Sequence, residues 1–365
     1  MSLSLLHRRM SLKTCLFKNS FYGFYSPRYF RYILSVKALQ LTTLGKIEIK
    51  EVPVPVLSAG KALIRMKAAS LNRRDQWIRE GKYPNIRIGA ILGSDGAGVV
   101  EQVYDEFDQG WVNREVVINP NIGWGPDPEV QSRFYTILGM PVDGTFAEYM
   151  VVPVDRLCPK PEHLDALQAA TLPLGALTAF RALFRRGCLT QGQNVLISGF
   201  GGGVAQFAFS FAQAAGANVY VSSGSDAKIE KAIKMGARGA YNYRRDAIFP
   251  DLWKTKGGFD LVIDSAGGDQ INNFIKMLRP HGRIVFYGAT NGLPDTVDLY
   301  RMFWNQLTLQ GSTMGNDQEF AEMLDFVEQH RLIPVIDSIR PFSRIAESFG
   351  DILLPNKAGK IVFQF

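Results

Sequence analysis

Two hydrophobic periods divide the chain. Residues 36–40, 47–52 and 62–68 alternate or cluster apolar side chains in short runs broken by Gly45, Pro53, Pro55 and Gly60, which predicts strands joined by turns. Gly93, Gly96 and Gly98 of LGSDGAGVVEQV precede a predicted strand over 99–103, and 114–119 and 146–152 read as further strands. Residues 120–141, rich in Pro and Gly, read as an irregular loop. Near Glu162 the period changes, and residues 164–183 set Leu167, Ala170, Leu174, Leu177 and Phe180 on one helical stripe. Strand and helix then alternate: strand 194–198, helix 204–215, strand 218–222, helix 226–235, then buried-type strands 259–264 and 283–287. Continuous apolar runs alternating with helices predict a parallel, doubly wound sheet, so the class is α/β. A helix over 318–329 and a terminal strand over 360–365 complete the pattern.

Charge changes this picture at one end only. The 365 residues carry 41 Lys and Arg against 34 Asp and Glu, a net +7. Arg8, Arg9, Lys13, Lys18, Arg28, Arg31 and Lys37 all precede the first acid, Glu48, and without them the body is formally neutral. A neutral body lacks the broad positive field of a nucleic-acid surface, and no nucleic-acid partner is expected. Basic residues, serines and leucines without an acid, with Arg8, Arg9, Lys13 and Lys18 interrupting any apolar core, predict a mitochondrial transit peptide over residues 1–35 and a matrix location. A plain basic tail, or a start at Met10, is the alternative on composition alone. No apolar run approaches the roughly 18–20 residues that span a bilayer, so no membrane insertion is expected. Cys15, Cys158 and Cys188 are too few and too scattered for a disulfide framework or a four-cysteine zinc lobe.

Strand, glycine loop and helix meet in NVLISGFGGGVAQFAFSFAQAAGANVYVSS. Glycines at such a junction let the backbone turn tightly and approach a pyrophosphate, held by exposed N–H groups and the positive end of the helix dipole. Gly199, Gly202 and Ala205 put a small residue at every third position, although Val204 breaks the strict GxGxxG pattern. The plain structural reading is a tight connection; within a βαβ unit of this length the dinucleotide reading prevails. The end of the second strand selects the cofactor. It reads Ser222, Ser223, Gly224, Ser225, then Lys228, with no acid to accept from a ribose and repel a 2'-phosphate, which favours NADP(H) over NAD(H). Asp226, the expected helix cap, would reverse that choice if its carboxylate pointed inward.

These features, in this order, resemble the medium-chain dehydrogenase/reductase superfamily from about Lys37 to Phe365. The matching segments include ILGSDGAGVVEQV, DGTFAEYMVVP, LPLGALTAFRALF, ISGFGGGVAQFA, FDLVIDSAGG, GRIVFYGAT and the terminal GKIVF. The resemblance implies a GroES-like, partly closed β-barrel catalytic domain over 36–160 and 312–365, a Rossmann NADP-binding domain over 161–311, and a cofactor in the cleft between them. It also implies a homodimer through the edge strand around residues 307–311. In the zinc alcohol dehydrogenases of this superfamily, the positions matched by Asn72, Ser94 and Leu174 carry metal ligands. Asn, Ser and Leu cannot form a thiolate and imidazole site, so no metal is expected.

The sequence is more similar to the zinc-independent quinone oxidoreductase branch and its enone and enal reductase relatives. That likeness implies Gly202, Gly203 and Val204 at the pyrophosphate, Ser223 and Lys228 at the 2'-phosphate, and Tyr243 beside the cofactor's phosphate end. It implies Gly288, Ala289 and Thr290 at the nicotinamide and Asn72 as an active-site amide. Hydride transfer to an already electrophilic small molecule, a quinone or an α,β-unsaturated carbonyl, asks for no Lewis acid. Asn72 is then the hydrogen-bond donor to the developing oxygen anion, and Tyr83 or solvent the proton source. Asp75 is expected to hold a barrel loop through Arg73 or Arg74, Trp124 and Phe146 are candidates for core or pocket wall, and Phe303 and Met314 for pocket wall. A zinc-independent alcohol dehydrogenase or aldehyde reductase, and a non-catalytic nucleotide-binding regulatory protein, stay open as alternatives.

Overall fold

The computed structural model describes residues 35–246, 253 and 257–365. The expected transit segment lies outside the described residues, apart from Ser35 in the first strand.

The alternating first half forms antiparallel sheet. β1 (Ser35–Thr43) and β2 (Lys46–Pro53) pair as a hairpin through Gly45, whose φ of +84° suits glycine. β3 (Lys61–Ser70), β4 (Asp95–Val103) and β5 (Glu115–Ile118) run antiparallel in sequence. Within the Pro- and Gly-rich loop, β6 (Asn121–Ile122) and β7 (Thr136–Ile137) make one short antiparallel pair. β8 (Tyr149–Pro153) joins β3, and β9 (Leu157–Pro159) joins β5. β4 starts earlier than its glycines suggest. Gly96 and Gly98 lie inside the strand because β3 crosses too closely for side chains: a Cβ at Gly98 would sit 2.5 Å from the Arg65 carbonyl, and one at Gly96 would sit 2.4 Å from Met66 Cε.

The second half forms the parallel layer. Its strands are β10 (Asn194–Ile197), β11 (Asn218–Ser223), β12 (Gly239–Asn242), β13 (Phe259–Asp264), β14 (Leu278–Phe286) and β15 (Thr308–Gly311). They lie in the order β12-β11-β10-β13-β14-β15, every neighbour parallel. The reversal of direction falls between β10 and β13, the point where such sheets bind ligands at their carboxyl ends. Val195, Leu196 and Ile197 are all fully buried, as expected of a strand covered on both faces.

The chain then returns to the first sheet. The helix Asp317–Gln329 leads to β16 (Ile336–Pro341), absent from the sequence pattern, and to β17 (Lys360–Gln364). β16 escapes the pattern because it is a half-exposed edge strand carrying Asp337 and Arg340, without apolar alternation. β17 pairs parallel with β16 and antiparallel with β3, which brings the carboxyl end of the chain beside the start of the helix α1 (Arg73–Arg79). Among the described residues no helix is long and apolar enough to cross a membrane.

Candidate active site

Two groups of residues meet at the carboxyl ends of the parallel strands. The first is the glycine loop between β10 and α2 (Gly203–Ala214). Gly199 has φ +61° and Gly201 φ +142°, and a Cβ at Gly201 would strike Lys228 Nζ at 2.5 Å. Gly202 is the residue before the helix, with nothing within 4 Å of where its Cβ would be. Gly203 and Val204 open the helix, so their N–H groups are among those left without intrahelical partners. This cradle fits a pyrophosphate.

Lys228 therefore reaches back from α3 (Asp226–Lys234) to the glycine loop. It is half-buried, it has no carboxylate within ion-pair distance among the described residues, and desolvation pulls its pKa below the usual lysine range against a weaker pull from Asp337. Ser223 is buried at the end of β11, and its Oγ accepts from the Ser225 N–H at 3.2 Å, which leaves its own O–H to donate. Tyr243 stands over Gly224, where a Cβ would lie 2.9 Å from its hydroxyl and 2.8 Å from Arg244 Nε. Arg244, not singled out in the sequence, adds a second cation without a carboxylate partner among the described residues. Asp226 accepts from Asn242 Nδ2 at 2.9 Å, on the residue paired with Ser223 at the strand ends, and pairs with Arg245 at 3.2 Å. Both of its oxygens are thereby engaged within the protein.

Gly288, Ala289 and Thr290 follow β14 and lie against the loop after β13. The Thr290 hydroxyl donates to the Ser265 carbonyl at 3.4 Å, and Asn291 N donates to the Ala266 carbonyl at 2.7 Å. Gly288 admits no side chain, since a Cβ would meet that Ser265 carbonyl at 2.8 Å.

The second group surrounds Asn72. Its backbone N–H donates to Asp75 Oδ2 at 2.8 Å, and its side-chain Oδ1 accepts from Lys360 Nζ at 2.5 Å. Lys360 also pairs with Asp95 Oδ2 at 2.8 Å, both side chains being almost fully buried (4% and 0% exposed). Asp95 is held in turn by the Ser70 hydroxyl at 2.9 Å and the Leu174 N–H at 2.7 Å. The remaining polar atom, Asn72 Nδ2, is buried with no hydrogen-bond partner. Lys360 connects this group to the first: its stem passes Gly203, where a Cβ would lie 2.8 Å from Lys360 Cδ, and Gly359 N donates to the Gly201 carbonyl at 3.2 Å.

Neither Lys360 nor Asp95 was legible as a site residue. The available signal was a charged residue at the start of an apolar terminal strand and another inside a glycine-rich one.

Asp75 corrects an expectation. It makes no side-chain bond to Arg73 or Arg74 but caps the start of α1 through the Asn72 N–H. Burial pushes its pKa up to about 6, against the opposing pull of Arg74. The folded state therefore takes up its proton before the unfolded state does as pH falls, so wild-type stability from this group rises as the pH drops through 6 towards the ordinary value of 3.8. Asp75→Asn is expected to stabilise the fold by roughly 2 kcal/mol at pH 7.5, with the gain fading below pH 4, as measured by urea unfolding across that range.

Arg74, rather than a metal, occupies the neighbourhood of Ser94. Its buried guanidinium donates to Ser94 Oγ at 2.5 Å and to the Leu138 and Met140 carbonyls, and it lies over the Tyr83 ring with Nε 3.3 Å from the hydroxyl. Since Arg cannot accept, the Tyr83 O–H keeps its hydrogen for another partner. Asn72, Ser94 and Leu174 do not fit zinc: Leu174 has no donor, and Asn72 Oδ1 and Ser94 Oγ already face an ammonium and a guanidinium that would repel a dication. Trp124 and Phe146 are buried, Phe146 packing edge-on against Phe349 and Phe363. Met314 is buried with its sulfur 3.7 Å from the Thr178 hydroxyl. Phe303 is no pocket wall in this chain: it lies on the exposed face of the helix Leu299–Trp304.

Comparison with known proteins agrees with this fold. Residues 58–162 match the alcohol dehydrogenase GroES-like domain model, and residues 203–329 match the zinc-binding dehydrogenase model. The chain is 34% identical over 341 residues to the zinc-type alcohol dehydrogenase-like protein YogA of Leptosphaeria maculans, covering 87% of this chain and 94% of that one. It is 27% identical over 342 residues to the quinone oxidoreductase of Mus musculus, covering 90% and 97%. A solved NAD-dependent alcohol dehydrogenase superposes with a TM-score of 0.82 at 32% identity, covering 90% of this chain and 99% of that one.

Proposed function

The chain belongs to the medium-chain dehydrogenase/reductase superfamily, in its zinc-independent branch, and from that premise we propose that this oxidoreductase is an NADPH-dependent reductase of quinones or α,β-unsaturated carbonyls. The observation that carries the reading is the pair of protein cations on the atoms that would have to bind a metal, Lys360 on Asn72 and Arg74 on Ser94. Without a Lewis acid the acceptor must be electrophilic already, and a conjugated carbonyl or quinone is.

When bound, NADPH supplies the hydride. The glycine loop and the start of α2 bind its pyrophosphate, and Lys228, with Ser223, Tyr243 and Arg244 around it, favours the 2'-phosphate. The loops at Ser265 and Gly288–Thr290 bound the space for the ring. Asn72 Nδ2 donates a hydrogen bond to the oxygen that becomes anionic as the acceptor is reduced. Tyr83, whose hydroxyl hydrogen is uncommitted, is the candidate for delivering the proton that completes the enol or quinol.

The test is oxidation of NADPH and NADH by the purified protein over a panel of quinones, enones and simple aldehydes, with metal analysis. Turnover of quinones or enones with NADPH and no bound metal is expected. Stoichiometric zinc together with alcohol oxidation would support the alcohol dehydrogenase reading, which the likeness to a NAD-dependent alcohol dehydrogenase recommends. Tight NADPH binding without any turnover would support a regulatory role.

We propose two further properties. Residues 1–35 direct the protein to the mitochondrial matrix, which a fluorescent fusion of that segment tests. The protein is a homodimer across β15: among the described residues this strand pairs only with β14, and the adjoining helix exposes Leu299, Tyr300, Phe303 and Trp304, each by more than 60%. Trp304→Glu is expected to shift the sedimenting species from dimer to monomer at micromolar concentration, and a monomeric wild type would refute the assignment.

A further inference from the structure

The hydrogen bonds around Asn72 are unevenly distributed. Its backbone is pinned in both directions, N–H to Asp75 Oδ2 at 2.8 Å and C=O from the Asp75 N–H at 3.1 Å, and its side-chain oxygen is taken by Lys360. Only Nδ2 is uncommitted, in a side chain that is 6% exposed.

A primary amide is nearly symmetric in shape, so packing alone chooses weakly between its two flips, and the flip with oxygen in place of nitrogen would present an acceptor instead of a donor. An ammonium has three donors and no acceptor, so an ammonium at 2.5 Å permits only the amide oxygen at that contact. It also polarises the amide, which strengthens the N–H groups as donors.

Lys360 would not hold this place unaided. The Asp95 carboxylate anchors its ammonium, and Ser70 and the Leu174 N–H anchor the carboxylate. Stability is a poor account of such an arrangement, because the desolvation of a buried ion pair commonly offsets its attraction. We propose that the Asp95–Lys360 pair is a positioning device that sets the Asn72 amide in one orientation, with Nδ2 as the donor to the acceptor's oxygen. The assignment rests on the reductase reading above, in which Asn72 touches the substrate.

Removing Lys360 alone would strand a buried carboxylate, so the test pairs Lys360→Met with Asp95→Asn, which leaves the core neutral. On the best quinone or enone acceptor, kcat is expected to fall by about 10-fold while the KM for NADPH changes less than about twofold. In an Asn72→Ala background the same two substitutions are expected to cost nothing further, because the amide through which they act is gone. A kcat loss of equal size in both backgrounds overturns the proposal. So does a large rise in the KM for NADPH with kcat unchanged, which would make Lys360 a phosphate ligand.

The second readout needs no turnover. In protein labelled with 15N at asparagine side chains, the Asn72 amide resonance is identified by its loss in Asn72→Ala. It is expected to be single in the wild type and to move in the double variant. Lys360→Gln combined with Asp95→Asn keeps hydrogen-bonding capacity between the two positions in a neutral core, can present either end of the new Gln amide towards Asn72, and is expected to split or shift that resonance. An unmoved single resonance in this second pair refutes the positioning role even if the Lys360→Met pair does not fold. If no acceptor is reduced by any form while the resonance responds as expected, the reductase reading fails and the positioning of the amide stands.

Discussion

An Asn72→Ala protein is expected to lose about 10²-fold in kcat on a quinone or enone acceptor, roughly 3 kcal/mol of transition-state stabilisation, with the KM for NADPH within about twofold of wild type. The size follows from what the amide does. In the proposed reaction it donates to an oxygen whose charge grows during hydride transfer, from a buried site where water cannot substitute for it. In the substitution the backbone N–H to Asp75 survives in Ala, and Lys360 keeps Asp95. The melting temperature should therefore change little. A variant with unchanged kcat and a raised KM for the acceptor would show that Asn72 binds ground state and transition state alike.

Lys228→Ala is expected to weaken NADPH by about 10- to 100-fold and NADH by no more than about twofold, read as dissociation constants by fluorescence titration. A charge-assisted hydrogen bond to a phosphate contributes about 1.5–3 kcal/mol, which sets the range, and NADH has no 2'-phosphate to lose it from. In the free protein the ammonium sits half-buried against the glycine loop with no carboxylate within ion-pair distance among the described residues, so its deletion removes no such ion pair from the fold. Its pKa lies below the usual lysine range, so the preference for NADPH should narrow as the solution is made alkaline and the charge is lost. Added salt should narrow it as well, because part of the attraction is screened. Equal losses for both cofactors would contradict the assignment. Arg244, with its Nε close to Gly224, accounts for any preference that survives the substitution.

Much of the architecture was legible because it is written in local period. Alternation in the first half and continuous apolar runs between helices in the second distinguish a sheet with one wet face from a parallel sheet covered on both. The glycine loop was legible for a related reason: positive φ at Gly199 and Gly201 is a property of one or two residues, and so is the lysine that follows the strand. The strand β16 was not, because an exposed edge strand with charged residues buries too little to impose a pattern. Nor were Gly96 and Gly98 legible as strand residues, since the close approach that demands them comes from the neighbouring strand β3.

The same distinction separates the two halves of the site. The sequence by itself determined the strand–loop–helix cradle, the lack of an acid at the end of the second strand, and the unsuitability of Asn72, Ser94 and Leu174 for zinc. Each of these depends on residue type within a short segment. Only the tertiary structure decided that Asp226 is bonded to Asn242 and Arg245, that Asp75 caps a helix, and that Arg74 fills the space beside Ser94. Only it could join Lys360 to Asn72, 288 positions apart, through a terminal strand that returns to pair with β3. A charged side chain's chemistry is set by what surrounds it, and for a buried ammonium those surroundings are assembled by strand pairing across the whole chain.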